Sequence, residues 1–124
     1  MRGQRQSPTV SVVVVSDNAE TIDGLQRYLR DAGVTTRVTR VVERTCELVA
    51  SARGAVILFP DDFPETKVRA MLAALKRLRP SAVQVLVTSD LQRFAGTRDA
   101  LILAKPAWGS TILDAIRARL DPAE

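Results

Sequence analysis

Histidine is missing from this chain altogether, and cysteine occurs once, as Cys46. With no second thiol an internal disulfide cannot form, and without histidine the usual zinc and haem sites lose their ligands. The commonest general base at neutral pH is gone as well. Cys46 falls inside a helical stretch and reads as a small buried hydrophobe, not a reactive thiol. Aromatic residues make up only 4% of the 124, too few to interleave with basic residues as a base-stacking platform. No apolar run approaches the length of a membrane span. Residues 1–8 hold Arg2 and Arg5 but no apolar stretch, so they read as a disordered lead-in and not as a secretory signal.

What remains is one domain, 9–124, with a core large enough to need neither disulfide nor structural metal. The net charge is +4, which brings an acidic partner or nucleic acid into consideration. The arginines are spread from Arg2 to Arg119, however, and the one tight cluster, Lys76, Arg77 and Arg79, sits at a helix end where cations suit the dipole. No helix-turn-helix or basic-zipper segment is left over. A nucleic-acid-binding module is therefore an alternative and not the main reading.

Along the chain, short β-branched runs alternate with helical patterns. The runs are Thr9–Val15, Val34–Val42, Ala55–Phe59, Ala82–Thr88 and Ala100–Ala104. Runs this apolar suit strands covered on both faces. The first helical pattern carries Ile22, Leu25, Leu29 and Ala32 on one stripe, with Gly33 as its C-cap. The second spans Glu43 to Ala52, with Cys46, Val49 and Ala50 inward. The third runs from Pro64 to Arg79, with Val68, Met71, Leu72, Leu75 and Leu78 apolar, and Pro80 stops it. Only Leu91 to Ala95 remain for a shortened fourth helix, and Ser110 to Leu120 form the last. Right-handed crossovers then give an α/β fold, a doubly wound five-stranded parallel sheet in strand order 2-1-3-4-5.

In such a sheet the C-terminal strand ends converge on one crevice. Asp17 follows VSVVVVS, the segment FPDDFP follows AVIL, Thr88 ends VQVLVT, and Lys105-Pro106 follows ALILA. Either Asp17 or Asn18 also fits the cap of the helix that follows. Asp61 and Asp62 also fit a plain turn between two prolines. Thr88-Ser89 also fits a strand end with a cap. Trp108 reads as packed beneath the last helix, with an exposed binding anchor as the other choice.

The order and spacing of VVVVSDN, AVILFPDDFP, LKRLRPSAV, VLVTSD and ILAKPAW resemble the receiver domain of two-component response regulators. The resemblance implies a flavodoxin-like fold. It implies an acidic pair for Mg²⁺ after the first strand, an Asp phosphoacceptor after the third, a hydroxyl after the fourth and a Lys before Pro after the fifth. Hard oxygen ligands suit Mg²⁺, and cations must neutralise a transferring phosphoryl group. Thr88 and Lys105 match. Asp17 matches the second acid, but Ser16 stands where the first belongs. Counting from Pro64 and from Thr88 puts Pro60, which has no nucleophile, at the acceptor position; a one-residue loop shift would bring Asp61 there. Leu101, Ile102 and Leu103 fill the stretch that holds the family's switch aromatic.

The resemblance thus implies an atypical, non-enzymatic receiver domain of a bacterial cytoplasm, acting through protein contact without normal aspartyl phosphorylation. A Lys105 ion pair to Asp17 or Asp61 would hold the loops in one state. No cofactor is expected, and Mg²⁺, on Asp17 and Asp61, only if Asp61 is functional. The expected contact face holds Leu91, Phe94, Trp108, Ile112 and Arg117. With no effector domain in the sequence, output is expected through a signalling partner or through a homodimer at the fifth-strand and last-helix face. The alternatives are a receiver phosphorylated on Asp61 and the nucleic-acid module. A flavodoxin-type cofactor binder is disfavoured because the loops lack a Ser/Thr/Gly-rich phosphate cradle.

Overall fold

The computed structural model describes residues 10–49, 54–97 and 100–120; the lead-in expected at 1–8 lies outside the described residues. Five strands, β1 (Ser11–Val15), β2 (Thr35–Thr39), β3 (Gly54–Leu58), β4 (Val83–Thr88) and β5 (Ala100–Ala104), form one sheet. Its order is β2-β1-β3-β4-β5, and every neighbouring pair is parallel. Among the described residues, α1 (Ala19–Asp31), α2 (Thr45–Leu48) and α3 (Glu65–Leu78) lie between strands, and α4 (Gly109–Leu120) follows β5. Three single 3₁₀ turns lie at Val42–Arg44, Pro60–Asp62 and Leu91–Phe94.

The pleat of β1 divides the core. Val12 and Val14 point to one layer, where Ile22, Leu25 and Leu29 of α1 and Ile112, Leu113 and Ile116 of α4 cover them. Val13 and Val15 point to the other, against Val68, Met71, Leu72 and Leu75 of α3. Side chains alternate along a strand, so an unbroken valine run feeds both layers at once. Each of these side chains contributes about 1.5–3 kcal/mol when fully buried.

Boundaries follow local chemistry. Asn18 caps α1, its Oδ1 accepting from Thr21 N–H at 3.0 Å. Gly33 takes φ +83° just past the C-cap Ala32, a left-handed turn that returns the chain into β2. Pro64 caps α3 from outside the helix, its carbonyl accepting from Lys67 and Val68 N–H.

Three expectations change. The second helix breaks into the turn Val42–Arg44 and the single helical turn of α2. Val41 and Val42 just before the expected helix, and Thr45 within it, are β-branched and favour helix poorly. The expected inward Ala50 lies outside the described residues. Cys46 is half-buried, not buried; burial pushes its thiol up, although Arg79 and Arg77 act the other way. Leu78, expected on the apolar stripe of α3, is the last residue of the helix and is 52% exposed.

Candidate functional site

The strand ends β1, β3, β4 and β5 open on one side of the sheet, and the 3₁₀ turn Pro60–Asp62 sits at their centre. Two tandem carboxylates leave this turn in different directions. Asp61 turns toward β4 and β5; Asp62 turns toward β1.

Asp61 is held on both oxygens. Thr88, fully buried at the end of β4, donates its hydroxyl to Asp61 Oδ1 at 2.6 Å. Ser89 donates its backbone N–H at 2.9 Å and its hydroxyl at 3.0 Å to Oδ2. Lys105 Nζ lies 3.3 Å from Oδ2, and Arg93 Nη1 3.7 Å from Oδ1. Thr88 Oγ1 also accepts from Asp90 N–H at 3.0 Å, so the hydroxyl is fixed from both sides. Partial burial alone would raise the Asp61 pKa. The hydrogen bonds from Thr88, from the Ser89 N–H and hydroxyl, and from Lys105 outweigh it and hold the carboxyl at about 2.

Asp62 Oδ2 accepts from the Ser16 hydroxyl at 2.7 Å and from Asp17 N–H at 3.0 Å. Ser16 Oγ in turn accepts from Asn18 N–H at 3.0 Å. Asp62 therefore closes the loop after β1, and the serine standing in place of an acid is what makes that contact. A carboxylate at position 16 would face Asp62 as a like charge.

Asp17, expected in the pocket, turns away from it. Its Oδ1 accepts from Arg40 Nε at 3.1 Å, and its carbonyl from Arg40 Nη2 at 3.0 Å. Pro60, the residue that ungapped counting places at the acceptor position, is buried at the start of its turn. The following residue reaches Thr88 and Lys105 instead. Asp61, Thr88 and Lys105 are thus brought together, whereas Asp62 turns to the loop after β1 and the Asp17 carboxylate to Arg40.

The acids that resemblance assigns to Mg²⁺ do not fit that ion as placed. Asp17 is committed to Arg40, Asp62 to Ser16, and Asp61 to Thr88, Ser89 and Lys105. Among the described residues no group of three or more acidic, His or Cys side chains is positioned to hold a metal. Six-coordinate Mg²⁺ prefers oxygen ligands converging at about 2.0–2.1 Å.

Sequence reasoning missed Ser89, Arg93 and Arg40 as partners of these carboxylates. Ser89 follows Thr88 directly, and its place at a strand end was the available signal. Nothing in the sequence pairs Arg93 or Arg40 with residues more than twenty positions away.

The expected contact face needs two corrections. Phe94 is 1% exposed and Ile112 fully buried, so neither offers a surface. Phe94 plugs the α3 side of the sheet, and the Arg69 and Arg93 guanidinium carbons lie 5.2 and 5.3 Å from its ring centre. Ile112, in the first turn of α4, belongs to the apolar layer that α1 and α4 share. Leu91 and Arg117 are exposed.

Trp108 departs from the expected packing, at 71% exposed. The Tyr28 ring takes the space beneath the start of α4: a Cβ added to Gly109 would lie 2.7 Å from it. The indole is displaced outward onto the rim of a groove of about 770 Å³ that also includes Leu25, Phe59 and Lys105. Trp108→Ala is accordingly expected to change stability by less than about 0.5 kcal/mol in urea denaturation.

No family model matches the chain. No curated protein matches it either. Solved structures do. A response regulator receiver protein from Sinorhizobium medicae WSM419 is 18% identical, with TM-score 0.80, over 94% of this chain and 98% of that one. The signal receiver domain of an HD domain-containing protein from Pseudomonas fluorescens Pf-5 is 23% identical, with TM-score 0.75, over 92% and 96%. An adenylate cyclase structure from Rhodopirellula baltica is 15% identical, with TM-score 0.74, over 91% and 88%. The sheet order, the helical layers and these likenesses together establish that the chain has the fold of response-regulator receiver domains.

Proposed function

We propose that this chain is an atypical receiver domain in bacterial cytoplasmic signalling, read by protein partners in one fixed state and without normal aspartyl phosphorylation. The observation that carries the reading is the occupancy of Asp61. In a receiver, the hydroxyl after the fourth strand and the lysine after the fifth engage an incoming phosphoryl group. Here Thr88 and Lys105 already engage the protein's own carboxylate, with Ser89 and Arg93 adding further donors. The loops after β3, β4 and β5 are tied together by that one side chain. Asp62 ties in the loop after β1.

Receivers generally signal without catalysing a reaction on a separate substrate, and this reading assigns no enzymatic role. The contact face comprises Leu91, Trp108 and Arg117, around the short turn Leu91–Phe94, β5 and α4. Among the described residues no helix is long and apolar enough to cross a membrane. The nucleic-acid reading is disfavoured because Arg40, Arg44, Arg69 and Arg93 each pair with a carboxylate.

One observation favours a phosphorylatable receiver: Asp61 is ionised at neutral pH and lies beside Lys105. In that reading an Asp61 oxygen attacks phosphorus and the donor's leaving group departs. Against it, both oxygens are already engaged and the acids assigned to Mg²⁺ diverge. Incubation with acetyl phosphate or beryllofluoride in the presence of Mg²⁺ separates the two. We expect no mass increase and no change in Trp108 fluorescence. A Mg²⁺-dependent phosphoryl adduct that disappears in Asp61→Ala would overturn the preferred reading.

A further inference from the structure

The two edges of the sheet differ in chemistry. β2, at one edge, reads Thr-Thr-Arg-Val-Thr, with the exposed Arg37 at its centre. A charge on an edge strand discourages pairing with another chain. β5, at the other edge, reads Ala-Leu-Ile-Leu-Ala and carries no charge, proline or bulge. Leu101, Ile102 and Leu103 are only half-buried, and Ala104 is exposed. The element between β4 and β5 is the single turn Leu91–Phe94, whose Phe94 fills the core while Leu91 stays 44% exposed.

The hydrogen-bond parity of β5 is fixed by its neighbour. Lys105 N–H donates to Thr88 O at 3.1 Å, and Thr88 is the partner of Ala104 in the register. Within a strand the N–H and C=O of one residue point to the same side and alternate from residue to residue. Leu101, Leu103 and Lys105 therefore face β4. Ala100, Ile102 and Ala104 turn their N–H and C=O to the open edge, where no strand lies beyond β5 among the described residues.

The strand sequence is a palindrome. Antiparallel pairing with an identical strand, centred on Ile102, sets Ile102 opposite Ile102, Leu101 opposite Leu103 and Ala100 opposite Ala104. Antiparallel ladders alternate hydrogen-bonded with non-hydrogen-bonded pairs. In this register the hydrogen-bonded pairs are those with outward-facing backbone, and the leucines fall at the closer, non-bonded pairs. Every side-chain pair is apolar and matched in size. A two-fold interface demands this self-complementarity, in which each copy presents the same patch to the other.

We propose that β5 is a self-pairing edge: two copies of this chain join antiparallel through Ala100–Ala104, centred on Ile102, into one continuous ten-stranded sheet. The inference goes beyond the pocket reading and does not depend on it, since neither Asp61 nor its phosphorylation enters. A dimer sharing only helix faces would leave the Ile102 and Ala104 amides open; a strand-paired dimer closes them.

The test is sedimentation equilibrium on the full chain over a concentration series, with amide hydrogen exchange by NMR. Wild-type protein is expected to dimerise, and the Ile102 and Ala104 amides to become protected as concentration rises. Ala104→Pro removes an outward N–H that has no acceptor among the described residues, at an edge position proline tolerates. It deletes two of the six ladder bonds, so dimerisation is expected to weaken on the order of 30-fold. Ile102→Lys places like charges at the two-fold and is expected to give monomer. Should either variant unfold, the wild-type exchange pattern alone decides. A chain that stays monomeric at every soluble concentration would refute the proposal. So would a dimer whose Ile102 and Ala104 amides exchange freely, or one that Ala104→Pro leaves intact.

Discussion

Asp61→Ala is expected to lower the unfolding free energy by about 2 kcal/mol. The carboxylate accepts from Thr88, twice from Ser89, and pairs with Lys105. A hydrogen bond to a charged group contributes about 1.5–3 kcal/mol when well buried. Asp61 keeps a side-chain exposure of 20%, so water replaces part of what is lost and the sum stays well below four full bonds. For a chain of this size the melting temperature should fall on the order of 10 °C. Asp61→Asn should recover little, because an amide offers one acceptor where this site needs two and turns an NH₂ toward the Ser89 and Lys105 donors. Thr88→Val combined with Asp61→Ala should cost less than the two separate losses added, since both remove the same 2.6 Å bond.

The same residue sets an acid limb. Its folded pKa of about 2 lies below its ordinary value of 3.8. A depressed carboxylate contributes stability that is fully present above the unfolded value and is lost as pH falls through the folded one. Wild-type protein should therefore lose about 1–2 kcal/mol between roughly pH 4 and pH 2, solvent screening included. Asp61→Asn should not show that component. Denaturation at stepped pH measures both curves, and superimposable acid limbs would mean that Asp61 does not tie the loops.

The sheet was readable because its signal is dense. Unbroken valines in β1 and the all-apolar β3 admit few alternatives to strands buried on both faces. Gly33 marks a helix end through a left-handed conformation other residues adopt poorly, and Pro80 through its missing N–H and the clash of its ring with the preceding turn. The pocket was only partly readable. Thr88 and Lys105 stand directly at strand ends, where counting works. Asp61 and Asp62 lie in a turn, and whether position 60 or 61 reaches Thr88 depends on the 3₁₀ path that begins at Pro60. Asp17 gave the wrong impression for a longer-range reason. Arg40 follows β2, which pairs with β1, and it draws the carboxylate out of the crevice. The misread aromatics share that cause. Tyr28, eighty positions before Trp108, decides which ring lies under α4.

Phe94→Ala is expected to be the most damaging single change, lowering stability by about 3–5 kcal/mol. Sequence position suggested an exposed loop aromatic, but the ring is 1% exposed and packs with Leu58, Met71 and Ile102 in one apolar layer. It does the work of a helix: among the described residues the connection between β4 and β5 holds the single 3₁₀ turn Leu91–Phe94, and Phe94 is that turn's buried anchor. The Arg69 and Arg93 contacts to the ring each add about 0.5–1 kcal/mol at such partly exposed sites. The loss should not stay local. Arg93 also reaches Glu65 at 3.2 Å and Asp61 at 3.7 Å, so freeing it loosens the pocket from the β4 side. Phe94→Leu keeps most of the apolar volume but not the ring face, and should cost about 1–2 kcal/mol. Urea melts of the three proteins give the ordering. If Phe94→Ala cost less than Asp61→Ala, the turn would be held by its polar contacts rather than by its buried ring.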